Sequence, residues 1–257
     1  MRSRSYTLAA ALVAGVLAHA FGAGQVWTFA AAAAPSPLVV APAVVAPVVV
    51  AKYTFDSRSR GILDESGKGH TMRLVVSHGG ALRLVAHGSG DGVEFPAKCA
   101  RKTPCPRAVL QSPNSADLNP GIRALAFGAA VRLPPSQTTK GQNVIQKGYS
   151  ATSSQYKLQV DGKAGRPSCV LVDETKPTIK LVRSAVTVAD GLWHTIECSR
   201  AGWVFIILVD GVIRGSLPIP ATLSVTNDSP LSIGGKGTSR DNDQFQGAVD
   251  DVWVRIG

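Results

Sequence analysis

Chemistry in this chain would have to come from carboxylates, histidines or thiols, and their spacing restricts each of them. The adjacent acidic pairs are Asp64-Glu65, Asp173-Glu174 and Asp250-Asp251. Retaining glycoside hydrolysis needs two carboxyl groups about 5–5.5 Å apart, whereas neighbours on a strand point to opposite faces. None of these pairs can therefore work on one bond. The five histidines form no His-x-x-His or His-Glu-x-x-His, and no Cys-x-x-Cys occurs, so a zinc site is not expected. Tyr149, Tyr156, His194 and Arg200 are of the types a polysaccharide lyase uses, but nothing in their spacing selects them. His194, directly after Trp193, reads as a strand-start histidine hydrogen-bonded to a neighbouring turn.

The four thiols are Cys99, Cys105, Cys169 and Cys198. A catalytic thiol pair wants a helix N-terminus to lower its pKa, and an even count suits disulfides in an exported protein. Of the three pairings, the favoured one joins Cys99 to Cys105 across a local loop and Cys169 to Cys198 across two strands. Reduced structural cysteines are the alternative. Export is suggested by Arg2 and Arg4 ahead of an uncharged run over 5–51, with an apolar segment over 8–23 and a small-x-small site at Ala18-His19-Ala20. Residues 1–33 are thus expected to be a signal peptide, giving a secreted protein with no membrane attachment after cleavage. A transmembrane anchor, which needs about 20 apolar residues, is the rival. Pro35, Pro37, Pro42 and Pro47 deny a helix to the next stretch, so 34–51 reads as an extended Ala/Val/Pro-rich linker whose last valines could pair as a first strand. The folded domain is expected over 52–257.

The elements that must position these residues are strands. Beyond Lys52 no stretch of eleven residues keeps apolar side chains at helical spacing without Gly or Pro. Short alternating or β-branched segments recur instead at 72–76, 82–85, 92–95, 124–133, 143–147, 156–160, 168–173, 178–184, 193–200, 204–209, 212–217, 231–234 and 244–255. That spacing predicts a sandwich or barrel. Asp210-Gly211 between two apolar runs predicts a two-residue hairpin turn, and Asp161-Gly162 a second. Apolar residues make up 45% and charged residues 17%, which excludes a disordered chain. The formal net charge is +10, and residues 1–51 hold two Arg and no acid, leaving 25 basic against 17 acidic side chains. Attraction to polyanions and an ordinary solvated surface both fit that balance. Nucleic acid as a partner is not expected, because no recognition motif is present.

In order along the chain come Phe55-Asp56, Asp64-Glu65-Ser66-Gly67-Lys68-Gly69-His70, Val93-Glu94-Phe95, Gln146-Lys147-Gly148 and Tyr156-Lys157-Leu158-Gln159-Val160. Asp190-Gly191-Leu192-Trp193-His194, Leu208-Val209-Asp210-Gly211, Pro230-Leu231-Ser232-Ile233-Gly234-Gly235 and Phe245-Gln246-Gly247-Ala248-Val249-Asp250-Asp251-Val252 follow. This succession resembles the laminin G-like, concanavalin A-like lectin/glucanase superfamily from Phe55 to Gly257, and the composition looks like that of a secreted actinobacterial member. The resemblance implies an all-β, jelly-roll β-sandwich of two antiparallel sheets, with the terminal strands side by side. It also implies a structural calcium held by Asp64 and Asp250; the alternative is an Asx-type turn at Asp64 and backbone amides on Asp250. The glucanase motif Glu-x-Asp-x-x-Glu is absent. The expected function is a monomeric, non-catalytic module that binds carbohydrate or a cell-wall ligand through rim segments 98–107, 137–142, 150–155 and 235–243, with Tyr149, Arg240 and Asn242 as ligand-binding candidates. A structural or adhesive protein tethered by its N-terminal segment, and a hydrolase or lyase with an unrecognised site, are the other readings.

Overall fold

Alternation decides which way each strand faces. In the segment Gln155–Asp161, Tyr156, Leu158 and Val160 are buried in the core while Lys157, Gln159 and Asp161 point away from it, the two-residue period of a strand with one face on a core. A computed structural model describes residues 47–57, 62–99 and 104–257. The expected signal segment 1–33, and the linker segment up to residue 46, lie outside the described residues.

Among the described residues the strands are β1 Val48–Tyr53, β2 Arg73–Ser77, β3 Arg83–His87, β4 Gly90–Glu94, β5 Arg107–Ser112, β6 Leu125–Arg132, β7 Gly141–Gly148 and β8 Gln155–Asp161. Then come β9 Arg166–Val172, β10 Ile179–Arg183, β11 Trp193–Ala201, β12 Val204–Val209, β13 Val212–Pro218, β14 Leu231–Ile233 and β15 Ala248–Ile256. They form an eight-stranded sheet, β13-β12-β11-β6-β15-β4-β3 with β1 also on β15, and a seven-stranded sheet, β10-β9-β8-β7-β14-β5-β2. Every pairing is antiparallel, and the first and last strands lie side by side from Val48↔Ile256 to Tyr53↔Val252. The fold is the jelly-roll sandwich expected. β1 takes in Val48–Ala51, so the folded part begins before Lys52, and the valines at the end of the Ala/Val/Pro-rich stretch pair as the first strand.

The core lies between the sheets. Tyr53, Phe127, Tyr156, Phe205 and Phe245 are fully buried there, each burial contributing roughly 1.5–3 kcal/mol. Phe127 of one sheet meets Tyr156 of the other at 5.2 Å between ring centroids, and the buried tyrosines reach backbone acceptors, Tyr53 on His70 O at 2.7 Å and Tyr156 on Leu118 O at 3.3 Å. Cys169 of β9 and Cys198 of β11, both fully buried, are joined in a disulfide that ties one sheet to the other. Cys99 and Cys105 form the second disulfide.

Local turn chemistry follows the backbone. Asp210 and Gly211 both have positive φ, 52° and 73°, as a primed two-residue turn between β12 and β13 requires. The Asp161-Gly162 expectation is corrected: Asp161 ends β8 and β9 starts only at Arg166, so the hairpin loop is wider than two residues. Gly234 has φ +86°, and a Cβ there would fall 2.0 Å from the Phe95 ring, which leaves room for no other residue. Trp193 is not a core residue. It lies on the outer side of the eight-stranded sheet, stacked on His87 at 4.1 Å and beneath the Arg132 guanidinium at 5.3 Å.

Candidate functional site

The outer face of the seven-stranded sheet carries polar side chains where a plain surface would carry scattered ones. Register places Lys157 (β8), Gln146 (β7), Ser232 (β14), Gln111 (β5) and Arg73 (β2) in one row across five strands. In β8, Lys157 alternates with Tyr156 and Leu158, which enter the core, so its place in the row follows from period-two alternation. Several members of the row are well covered: Gln146 and Ser232 are buried. Gln111 donates to the Ser232 hydroxyl at 3.1 Å, and Gln146 donates to Gly148 O at 2.8 Å while accepting from Asn143. Burial pushes the Lys157 ammonium pKa down, with Lys236 adding to that shift and Asp243 and Asp161 opposing it.

Beside this row opens a cleft of ≈ 1010 Å³. Its walls come from Pro104, Cys105 and Arg107, the turn at Thr139, Lys140 and Gly141, and the loop from Thr238 to Gln244, while Gln159 and Asp161 of β8 lie on its floor. Gln244 pins the last of these loops to β5. Its Nε2 donates to Ala108 O (2.9 Å) and Gly234 O (2.8 Å), and its Oε1 accepts from Ala108 N (3.1 Å). Asn242, 1% exposed, donates from Nδ2 to Gly237 O at 2.7 Å, and its Oδ1 has no hydrogen-bond partner among the described residues. Lys236 pairs with Asp243 at 2.9 Å, and the Asp243 carbonyl accepts from Asn143 N at 2.8 Å. The loop is thereby held at both ends.

Of the residues singled out from sequence, Arg240 and Asn242 line this cleft, whereas Tyr149 does not and instead braces the loop by donating to Lys236 O at 3.0 Å. Segments 98–107, 137–142 and 235–243 all contribute to the walls; 150–155 does not. The polar row, with Lys157, Gln146, Ser232 and Gln111, was not singled out from sequence, although polar residues at alternate positions of otherwise apolar strands signal it. The cleft's acids are Asp161, Asp241 and Asp243. Asp161 faces Arg183 at 3.8 Å, and Asp243 faces Lys236.

A calcium ion shared by Asp64 and Asp250 does not fit the residues. Asp64 Oδ1 accepts from Lys52 N (3.0 Å) and Ser66 N (2.9 Å), and its Oδ2 accepts from the Ser66 hydroxyl (2.8 Å) and His70 N (2.9 Å). Four donors already face this carboxylate, leaving no open side for a cation; burial raises its pKa, and those donors outweigh burial and hold it below the usual range. Asp64 is thus the Asx-type lock of its loop. Among the described residues, one group of three metal-capable side chains lies within 4.8 Å, His87, Asp250 and Asp251, without Asp64. Asp250 bonds His87 Nδ1 at 2.7 Å and accepts from Asp251 N at 2.6 Å. His194 takes the strand-start role expected of it: Nδ1 bonds Asp210 of the hairpin turn at 2.8 Å, and Nε2 bonds Asp190 at 3.1 Å.

A family model described as the concanavalin A-like lectin/glucanases superfamily matches residues 111–255. Among solved structures, the chain is similar to domain 4 of AbnA, a GH43 extracellular arabinanase from Geobacillus stearothermophilus, in complex with arabinotriose. That match has 14% identity and a TM-score of 0.63, and covers 82% of this chain and 93% of that one. It is also similar to the binding domain of Paraclostridial Mosquitocidal Protein 1 (14% identity, TM-score 0.60, 80% of this chain and 48% of that one). A third is the binding domain of botulinum neurotoxin DC in complex with SialylT (8% identity, TM-score 0.56, 80% and 47%). The chain spans about half the length of these two toxin domains, and at such identities the likeness is one of fold. No curated protein matches it.

Proposed function

Since the chain belongs to the concanavalin A-like lectin/glucanases superfamily, we propose that it is a secreted, monomeric, non-catalytic module that binds carbohydrate, such as an extracellular or cell-wall glycan, in the cleft over its seven-stranded sheet. The observation that carries this reading is the convergence of three rim loops on a polar sheet face, which leaves an opening of ≈ 1010 Å³ lined by amide, hydroxyl and charged side chains. Such groups match the alternating donors and acceptors of sugar hydroxyls. The arabinotriose on the arabinanase domain and the SialylT on the neurotoxin domain support a saccharide as the class of ligand. Two disulfides support an oxidising, extracellular setting.

Binding without turnover is supported by the state of the acids. Asp161 and Asp243 each face a cation, whereas a glycosidase needs one carboxyl group free to protonate and one free to attack or to activate water. A glycan array followed by calorimetry tests the reading. Binding that is lost in Arg240→Ala, with an unchanged melting temperature, supports it. Failure to bind any glycan or wall fraction overturns it, and chain shortening of a bound glycan overturns its non-catalytic part.

A further inference from the structure

We infer that the saccharide this cleft takes is acidic, bearing carboxylate, sulfate or phosphate groups; the inference rests on the saccharide-binding reading above. The charges lining the cleft do not cancel. Asp161 is compensated by Arg183 and accepts from the Ser168 hydroxyl, and Asp243 is compensated by Lys236. Neither of those cations lines the cleft, so both acids are neutralised from behind. Asp241 remains, exposed at the mouth. Against it stand Arg107, Lys140 and Arg240, none of which has an ion-pair partner among the described residues.

Arg107 is also aimed. One of its terminal nitrogens donates to Arg240 O at 2.9 Å, which fixes the guanidinium while a neutral carbonyl leaves its charge uncompensated. The remaining N–H groups of the fork are suited to a carboxylate, sulfate or phosphate. On the same sheet face, two residues before Gln159 of the cleft floor, Lys157 is partly buried and donates no hydrogen bond from Nζ among the described residues. A ligand anion would supply its missing partner. Among the described residues no Trp, Tyr or Phe lines the cleft, so they offer a neutral sugar no ring to stack on, and discrimination falls to charge and hydrogen bonds. The chain's formal charge of +10 adds long-range attraction of the same sign.

The test is calorimetric titration of the full chain at low and high salt. Hexagalacturonate, a heparin hexasaccharide and a glycerol-phosphate hexamer serve as carboxylate, sulfate and phosphodiester probes, and methyl-esterified hexagalacturonate and arabinohexaose as neutral ones. At least one acidic probe is expected to bind roughly tenfold or more tighter than the neutral ones and to weaken with salt. Arg107→Ala and Arg240→Ala should each cost roughly tenfold in affinity for that probe at an unchanged melting temperature. If either variant melts early, the salt dependence of the unaltered chain decides. Equal affinity for a neutral probe, or affinity indifferent to salt, overturns the inference and leaves the saccharide reading standing. Binding of no probe and of no arrayed glycan removes both.

Discussion

Replacing Cys169 and Cys198 together by Ala should cost more stability than the same replacement at Cys99 and Cys105. The two residues are 29 apart in sequence, so the bond closes a loop of about 30 residues, and the chain-entropy relation gives about 3.6 kcal/mol at 25 °C. The same relation gives about 2.4 kcal/mol for Cys99–Cys105, whose separation is 6. The gap should widen further because Cys169 and Cys198 are fully buried, so truncation also leaves a void between the sheets. Guanidinium unfolding of both double variants reads this directly. A loss of about 3.6 kcal/mol lowers the melting temperature of a domain this size by roughly 7–14 °C. The reasoning fails if Cys169→Ala/Cys198→Ala loses no more than Cys99→Ala/Cys105→Ala.

Three further outcomes are expected. Two aspartates hold His194; burial lowers its pKa, but those partners outweigh burial and raise it above the ordinary value. Its contribution is therefore full below about pH 6.5 and fades as pH rises through the raised folded-state pKa; thermal melts across that range should show the slope, and His194→Gln should flatten it. Lys147 Nζ is fully buried among Asn114 Oδ1 (2.8 Å), Asn227 O (2.7 Å), Asn227 Oδ1 (3.2 Å) and Ser229 O (3.0 Å). Lys147→Met strands those oxygens and should cost about 3 kcal/mol in chemical denaturation, whereas a loss under about 1 kcal/mol would show that water or rearrangement serves them equally well. A chelator should leave the melting temperature unchanged, since Asp64 is saturated by protein donors; a drop reversed by added calcium would show that the ion binds elsewhere in the fold.

Much of the framework was legible because strands announce themselves locally. Asp210-Gly211, the alternation of β8 and the face shared by Cys198 and Ile196 each need only neighbouring residues to interpret. The strand β5 was not legible, since Arg107–Ser112 follows a Cys/Pro-rich loop and nearly all its residues are covered, erasing the alternation. The place of Trp193 was not legible, because it depends on His87 and Arg132 of other strands, which stand against it on the outer face. Lys147 and Arg200 look like surface cations in sequence. Lys147 is enclosed by a loop 80 residues away, and Arg200 donates to Leu223 O and Gly121 O at 2.9 Å each and to Arg123 O. Candidate ligand residues were half legible: loop composition pointed to Arg240 and Asn242, but the row across five strands exists only once register is fixed.

The central claim is that ligand meets this protein in the cleft over the seven-stranded sheet and leaves it chemically unchanged. Its most direct test is amide chemical-shift mapping during titration with the best-binding oligosaccharide, with the saccharide recovered and sized afterwards. The account predicts shifts confined to Gly141, Gln159, Asp161, the Thr238–Gln246 region and the neighbouring polar row, with the saccharide intact. Shifts centred instead on Trp193, His87 and the rest of the other sheet's outer face, or a shortened saccharide, would contradict it.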